Sequence, residues 1–254
     1  MRRAGLSAAA AIGVVAIVGA LTWLVAFRDT AEPVSVGEAV TGFRSDTEPA
    51  PSEASPIPEG VYVYATDGFE KTDALTGVTH RYPARSTITV TADECGVRLL
   101  WRVLAGRSTE WLYCVSDNGW AFHSQDERHT FFGTTERTTY VCSHAPIRPA
   151  DAALERWAVS CSTGSTEETG TGTLIGTERM EIGHRPIEAV HVRKSTTFAG
   201  EIRGTSRHDI WFAGDSGMPV KMVMVSCTTN DSPVGDVRYE EDVTLRLLSL
   251  QPRR

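Results

Sequence analysis

Beyond residue 60 the apolar side chains fall on every second position, which restricts this part of the chain to β-sheet with one wet face. Thr87-Ile88-Thr89-Val90-Thr91 alternates strictly. Val97, Leu99, Trp101 and Val103 share one face of the next segment, with Arg98 and Arg102 on the other. Trp111, Tyr113 and Val115 repeat the pattern. The last segment sets Val237, Tyr239, Val243, Leu245 and Leu247 against Arg238, Glu240, Asp242, Thr244 and Arg246. Asp67-Gly68 and Asn118-Gly119 supply turn chemistry between such runs. The fold expected is an all-β ectodomain, one strongly curved antiparallel sheet closing as a half-barrel or a sandwich. One short helix is expected at 149–156, where Pro149 leads and Asp151 lies in the first turn.

The N-terminus obeys different rules. Ala4 to Phe27 contains no Asp, Glu, Lys or Arg. About 20 residues of helix span about 30 Å, the thickness of a bilayer core. This assigns 8–27 as a transmembrane signal-anchor and 1–7 as a short tail, which Arg2 and Arg3 place in the cytoplasm. A cleaved signal peptide is the rival, with Val18-Gly19-Ala20 as its best cut, but the large apolar residues up to Phe27 favour a span. Either way the domain lies outside the cytoplasm, joined to the cell membrane in the first case. Residues 28–59 hold five of the 12 prolines and seven acids with few large apolar side chains, and read as a disordered linker. A short amphipathic helix near 34–40 is the alternative there. The extracytoplasmic β domain then runs over 60–252.

An oxidising compartment gives the five cysteines a purpose. Spacing alone leaves their pairing open, but Cys95 to Cys114 and Cys142 to Cys161 are both separations of 19, each second Cys closely following a Trp. Those two local bonds are the expected pair, each contributing about 3 kcal/mol. Cys227 is left as a buried free thiol. A formal charge of -7, and so -9 without Arg2 and Arg3, with no basic cluster, speaks against nucleic acid as a partner.

Chemistry-bearing patterns are few. Gly214-Asp215-Ser216-Gly217-Met218-Pro219 resembles the nucleophile loop of chymotrypsin-like proteases, and Thr91-Ala92-Asp93-Glu94-Cys95 echoes their histidine run. Glu94 occupies the place of the base, so Ser216 has nothing to activate it and reads as part of a turn. The seven histidines show no paired-ligand spacing, and no metal or cofactor is expected. The segment 220–225 is apolar on both faces apart from Lys221, and Met222 and Met224 are candidates for lining an apolar ligand site.

Asp209-Ile210-Trp211-Phe212 through Gly217-Met218-Pro219-Val220-Lys221 resembles a hairpin common in LolA/LppX-like half-barrel carriers of lipoproteins and lipids. The Ala-rich anchor, the cysteine spacing and Val234-Gly235-Asp236-Val237-Arg238-Tyr239 are similar to uncharacterised membrane-anchored actinobacterial proteins. This chain departs from the carriers in having no lipobox Cys and little helix. The anchor, the all-β pattern, the two-faced apolar strand and the lack of a catalytic constellation lead instead to the expectation of a non-enzymatic cell-envelope domain that binds an apolar ligand or lipid. The alternative is a structural or protein-interaction module of the envelope with no small-molecule ligand.

Overall fold

In the computed structural model, residues 31–46, 57–75, 77–116, 119–149, 155–232 and 235–254 are described. The signal-anchor assignment at 8–27 lies outside them. Among the described residues no helix is long and apolar enough to cross a membrane.

The strands are β1 (Gly60–Thr72), β2 (Val78–Arg81), β3 (Arg85–Asp93), β4 (Gly96–Leu104), β5 (Arg107–Ser116), β6 (Gly119–Phe131) and β7 (Thr134–His144). They continue with β8 (Pro146–Pro149), β9 (Arg156–Ser162), β10 (Thr166–Ile182), β11 (Arg185–Gly200), β12 (Ile202–Ala213), β13 (Pro219–Asn230) and β14 (Val237–Leu247). Chain neighbours pair antiparallel around the sheet, and β14 returns to pair with β1 from Tyr64↔Leu247 to Thr72↔Tyr239. The sheet is therefore a closed barrel, which corrects the expectation of a half-barrel or sandwich. Closure leaves the two terminal strands no free edge.

Two wall strands are broken in the same way. Along β1, β3 covers the first half and β2 the second. Along β6, β7 and β8 do likewise, with the Phe122 amide donating to the Ala145 carbonyl at the break. Counting each broken pair once gives a 12-stranded wall. Asp67-Gly68 does not end β1. Gly68 sits mid-strand at φ 154°, where a Cβ would lie 2.3 Å from the Asp242 carbonyl oxygen, so the seam with β14 requires a glycine there.

The region read as a disordered linker needs a second correction. Val36–Asp46 forms a helix, α1, against β1 and β3. Its start is a capping box: the Ser35 hydroxyl accepts from the Glu38 amide at 3.2 Å, and the Glu38 carboxylate accepts from the Ser35 amide at 2.7 Å. Those bonds also hold Glu38 below its usual carboxylate range. Ile57 is fully buried, so the folded unit begins before residue 60. The helix expected at 149–156 is not framed by helix: Pro149 ends β8, Arg156 opens β9, and 150–154 lie outside the described residues.

The cysteines pair as Cys95–Cys114, from the β3–β4 turn to β5, and Cys142–Cys161, from β7 to β9. Cys227 has no disulfide partner and is half-buried rather than buried.

Candidate functional site

The barrel interior divides at one level across many strands. On one side β14 contributes Val243, Leu245 and Leu247, β13 Val220, Met222 and Met224, and β12 Ile210 and Phe212, all buried. Trp101, Trp111, Tyr113 and Phe122 fill the space between them. One pleat step further, the same inward faces turn polar: Glu241 and Tyr239 on β14, Ser226 and Thr228 on β13, His208 and Ser206 on β12, Thr109 and Arg107 on β5. These surround a cavity of 680 Å³. Turns between β1–β2, β4–β5, β6–β7, β11–β12 and β13–β14 stand around this end. Apolar side chains line the rim, among them Leu75, Phe131, Phe132, Phe198, Ile202 and Val237.

The floor is an ionic network. Arg107, 2% exposed, gives Nη2–H bonds of 3.0 Å to both Glu241 oxygens and an Nε–H bond of 3.2 Å to one of them. Its Nη1 donates to the Ser108 carbonyl and the Thr109 hydroxyl, and its guanidinium lies 5.2 Å above the Trp101 ring. The Tyr82 hydroxyl also donates to Glu241. Glu70, 1% exposed, contacts His80 Nδ1 at 2.9 Å, His129 Nδ1 at 3.2 Å and the Tyr239 hydroxyl at 3.3 Å. Elsewhere on the wall, Lys194 of β11 and Glu168 of β10 pair at 2.7 Å, and Glu168 lines the same cavity.

These contacts set the charge states. Burial alone would raise Glu70, but hydrogen bonds from His129 and His80 and the charge of Arg107 hold it at about 2. Burial opposes ionisation of Glu127 too, and His129, by hydrogen bonding and charge, with Arg107 keeps it at about 2. For His129, burial and Arg107 act downward, yet the flanking Glu127 and Glu70 leave it above its ordinary value. His208 goes the other way. Burial and the charge of Lys194 push it down to about 4, so it is neutral at pH 7.

Of the residues singled out by sequence, Met224 lies where the two sides meet and lines the cavity, while Met222, buried on the packed side, lines a second, smaller cavity of 40 Å³. Ser216 lies in the β12–β13 turn, where its hydroxyl accepts from the Met218 amide at 3.4 Å. Gly217 in that turn takes φ 73°, and a Cβ there would lie 2.6 Å from the Trp120 ring. The Gly-Asp-Ser-Gly run is thus accounted for by backbone shape and packing. The residues that sequence reasoning passed over are Glu70, Arg107, Glu127, His129 and Glu241. One signal was available: Glu241 shares the face of Tyr239 and Val243, a carboxylate on an otherwise apolar row.

No protein-family model matches the chain, and no curated protein matches it either. Among solved structures, the hypothetical lipoprotein YmcC from Escherichia coli (K12) superposes with a TM-score of 0.31 at 9% sequence identity. The match covers 83% of this chain and 96% of that one, and so distant a superposition carries no functional implication.

Proposed function

We propose that the chain is an extracytoplasmic binding barrel that holds one small amphipathic molecule in the cavity, tethered to the cell envelope by its N-terminal apolar segment. The cavity itself carries the reading. Its 680 Å³ falls within the range of about 300–1,000 Å³ usual for small-molecule sites. An ionic floor beneath an apolar rim suits a ligand with a polar head and an apolar body, which narrows the apolar ligand or lipid expected from the sequence. Two disulfides fit an oxidising compartment. An interaction module would be served by one broad apolar face. The exposed large hydrophobics of the described residues, including Val115, Val141, Ile175 and Val225, are instead spread over separate strands.

Native mass spectrometry of the full chain, purified from the envelope fraction in amphipol, tests the proposal. A non-covalent small-molecule adduct is expected, and it should be lost when Ser226→Phe fills the cavity. A bare polypeptide mass, together with no change in melting temperature when octyl amphiphiles are titrated in, would overturn it.

A further inference from the structure

The place where the chain joins the barrel limits which face can meet the membrane, an inference that rests on the tether of the reading above. Pro33 bridges to Leu104 at the end of β4. The Ala105 amide donates to the Glu32 carbonyl at 2.8 Å, and the Val34 amide to the Val103 carbonyl at 3.3 Å. Followed backward from 34 to 32, the backbone thus climbs beside β4 toward the β4–β5 turn, one of the turns at the cavity end. Arg28, Asp29 and Thr30 are all that separates Phe27, the last residue of the apolar run, from Ala31. Four steps of fully extended chain reach about 14 Å at most.

The opposite end of the barrel is beyond that reach. From Ser35 the chain turns the other way into α1, whose 11 residues are about 16 Å long. At the far end of α1, Arg44 donates to the Arg254 carbonyl at 2.6 Å, and Arg254 Nε donates to the Glu59 carbonyl at 3.2 Å. β1 starts there and comes to the cavity at its other end, with Thr72.

The mouth is dressed for an apolar neighbour. Leu75, 63% exposed, sits in the β1–β2 turn at φ 55°, and Phe132 sits in the β6–β7 turn at φ 52°. Gly or Asn would serve such left-handed positions with less strain, so two bulky apolar side chains there call for a use beyond the turn. Phe198, Ile202 and Val237 continue the apolar rim on other strands. Asp231 and Asp236 of the β13–β14 turn are both answered by Arg203, at 2.7 and 3.1 Å, so charge does not set this turn against a lipid surface. The order of the cavity matches as well. An amphiphile leaving a leaflet toward the barrel moves head group first, and here the apolar rim is met before the ionic floor.

We propose that the mouth of the barrel docks on the bilayer that holds the tether, with Leu75 and Phe132 entering the headgroup boundary, so that the ligand passes between leaflet and cavity without crossing water. The test uses the full chain with Cys227→Ser, which leaves an introduced cysteine as the free thiol, in phosphatidylcholine vesicles. A bimane label is placed at Leu75→Cys or, as a control at the opposite end, at Val115→Cys, where the native side chain is 42% exposed. Insertion to about 5–10 Å should bring the Leu75 label among the acyl chains, so nitroxide-labelled phosphatidylcholine is expected to lower its emission at least about twofold and to leave Val115 nearly unchanged. If Leu75→Cys does not fold, Thr134→Cys beside the β6–β7 turn carries the label. Inserting about 20 Gly and Ser residues after Thr30 frees the barrel to turn any face to the membrane, and quenching at Leu75 should persist. Loss of quenching in the lengthened chain, equal quenching at both sites, or an unquenched Leu75 label in vesicle-bound chain, whether the rim lies in water or under a second copy, would overturn docking and leave the tethered binding barrel standing. A chain that fails to float with the vesicles would overturn the tether and the docking together, while the cavity adduct is read separately by its mass.

Discussion

The two halves of the barrel are made by the same strands and the same pleat, yet they are held together differently. In the packed half, each buried Leu, Val or Met on the inner face contributes about 1.5–3 kcal/mol by leaving water. In the cavity half, Arg107, Glu241 and Glu70 are almost as deeply buried, but desolvation cancels most of what their pairing gains. The change from one regime to the other occupies a single step, Val243 to Glu241 on β14 and Ile210 to His208 on β12. One half secures the fold. The other spends stability on a shaped, charged and partly open interior.

The contrast can be broken most forcefully in the packed half. Trp101 is fully buried, donates to the Ser86 hydroxyl at 2.9 Å and stacks against Trp111. Trp101→Ala should cost about 3–5 kcal/mol in urea denaturation. In the cavity half, Glu241→Leu alone should cost about 3 kcal/mol, because it strands the Arg107 charge. The double replacement Arg107→Met with Glu241→Leu should recover most of that loss. A double variant no more stable than the single would mean that the network holds the barrel up.

Acid sharpens the comparison, since the titrating groups of the interior lie on the cavity side. His208 folded has a value of about 4 against 6.5 unfolded, so below pH 6.5 the unfolded chain binds more protons. Stability should therefore fall as pH drops from about 6.5 to 4. Glu70 and Glu127 extend the fall from their ordinary 4.5 down to about 2, where the folded carboxylates protonate. His129 has the opposite sign: its contribution is complete below 6.5 and is lost as pH rises through its elevated folded value. Urea midpoints for wild type and His208→Gln at pH 7 and pH 5 test this, and the variant should lose less on acidification. The smallest effect lies outside both halves. Ser35→Ala removes the cap of α1 and should cost about 1 kcal/mol, read as faster amide exchange over 36–46.

Alternation made most of the wall legible, because inward and outward residues of a half-wet strand differ in kind. It displays the faces of β3, β4, β5 and the end of β14 directly. Closure was hidden, since the β1–β14 seam joins residues far apart in the chain and runs through Asp67-Gly68, a pair that locally spells a turn. The cavity floor was hidden for a related reason. Arg107, Glu127 and His129 sit on inward faces, but a charged residue in a strand suggests solvent unless its partners are known, and those partners come from three or four other strands. Glu241 alone breaks its row plainly enough to be noticed. The capping box Ser35-Val36-Gly37-Glu38 is a local signal, outweighed in sequence by the prolines and acids around it.

A ring has a circumference, and its constancy depends on the weakest joint. In this wall the joint between β7 and β9 is short, only Val141↔Ser162, Cys142↔Cys161 and His144↔Ser160, with an irregularity between them. The Cys142–Cys161 bond lies in that joint. Three residue pairs alone would let the wall part there, and the bore would vary with whatever filled it. With the joint covalent, β7 and β9 are held together at this point of the wall whatever the cavity contains. This joint of the ring is thus set by oxidation, once, when the chain first meets an environment that can close that bond.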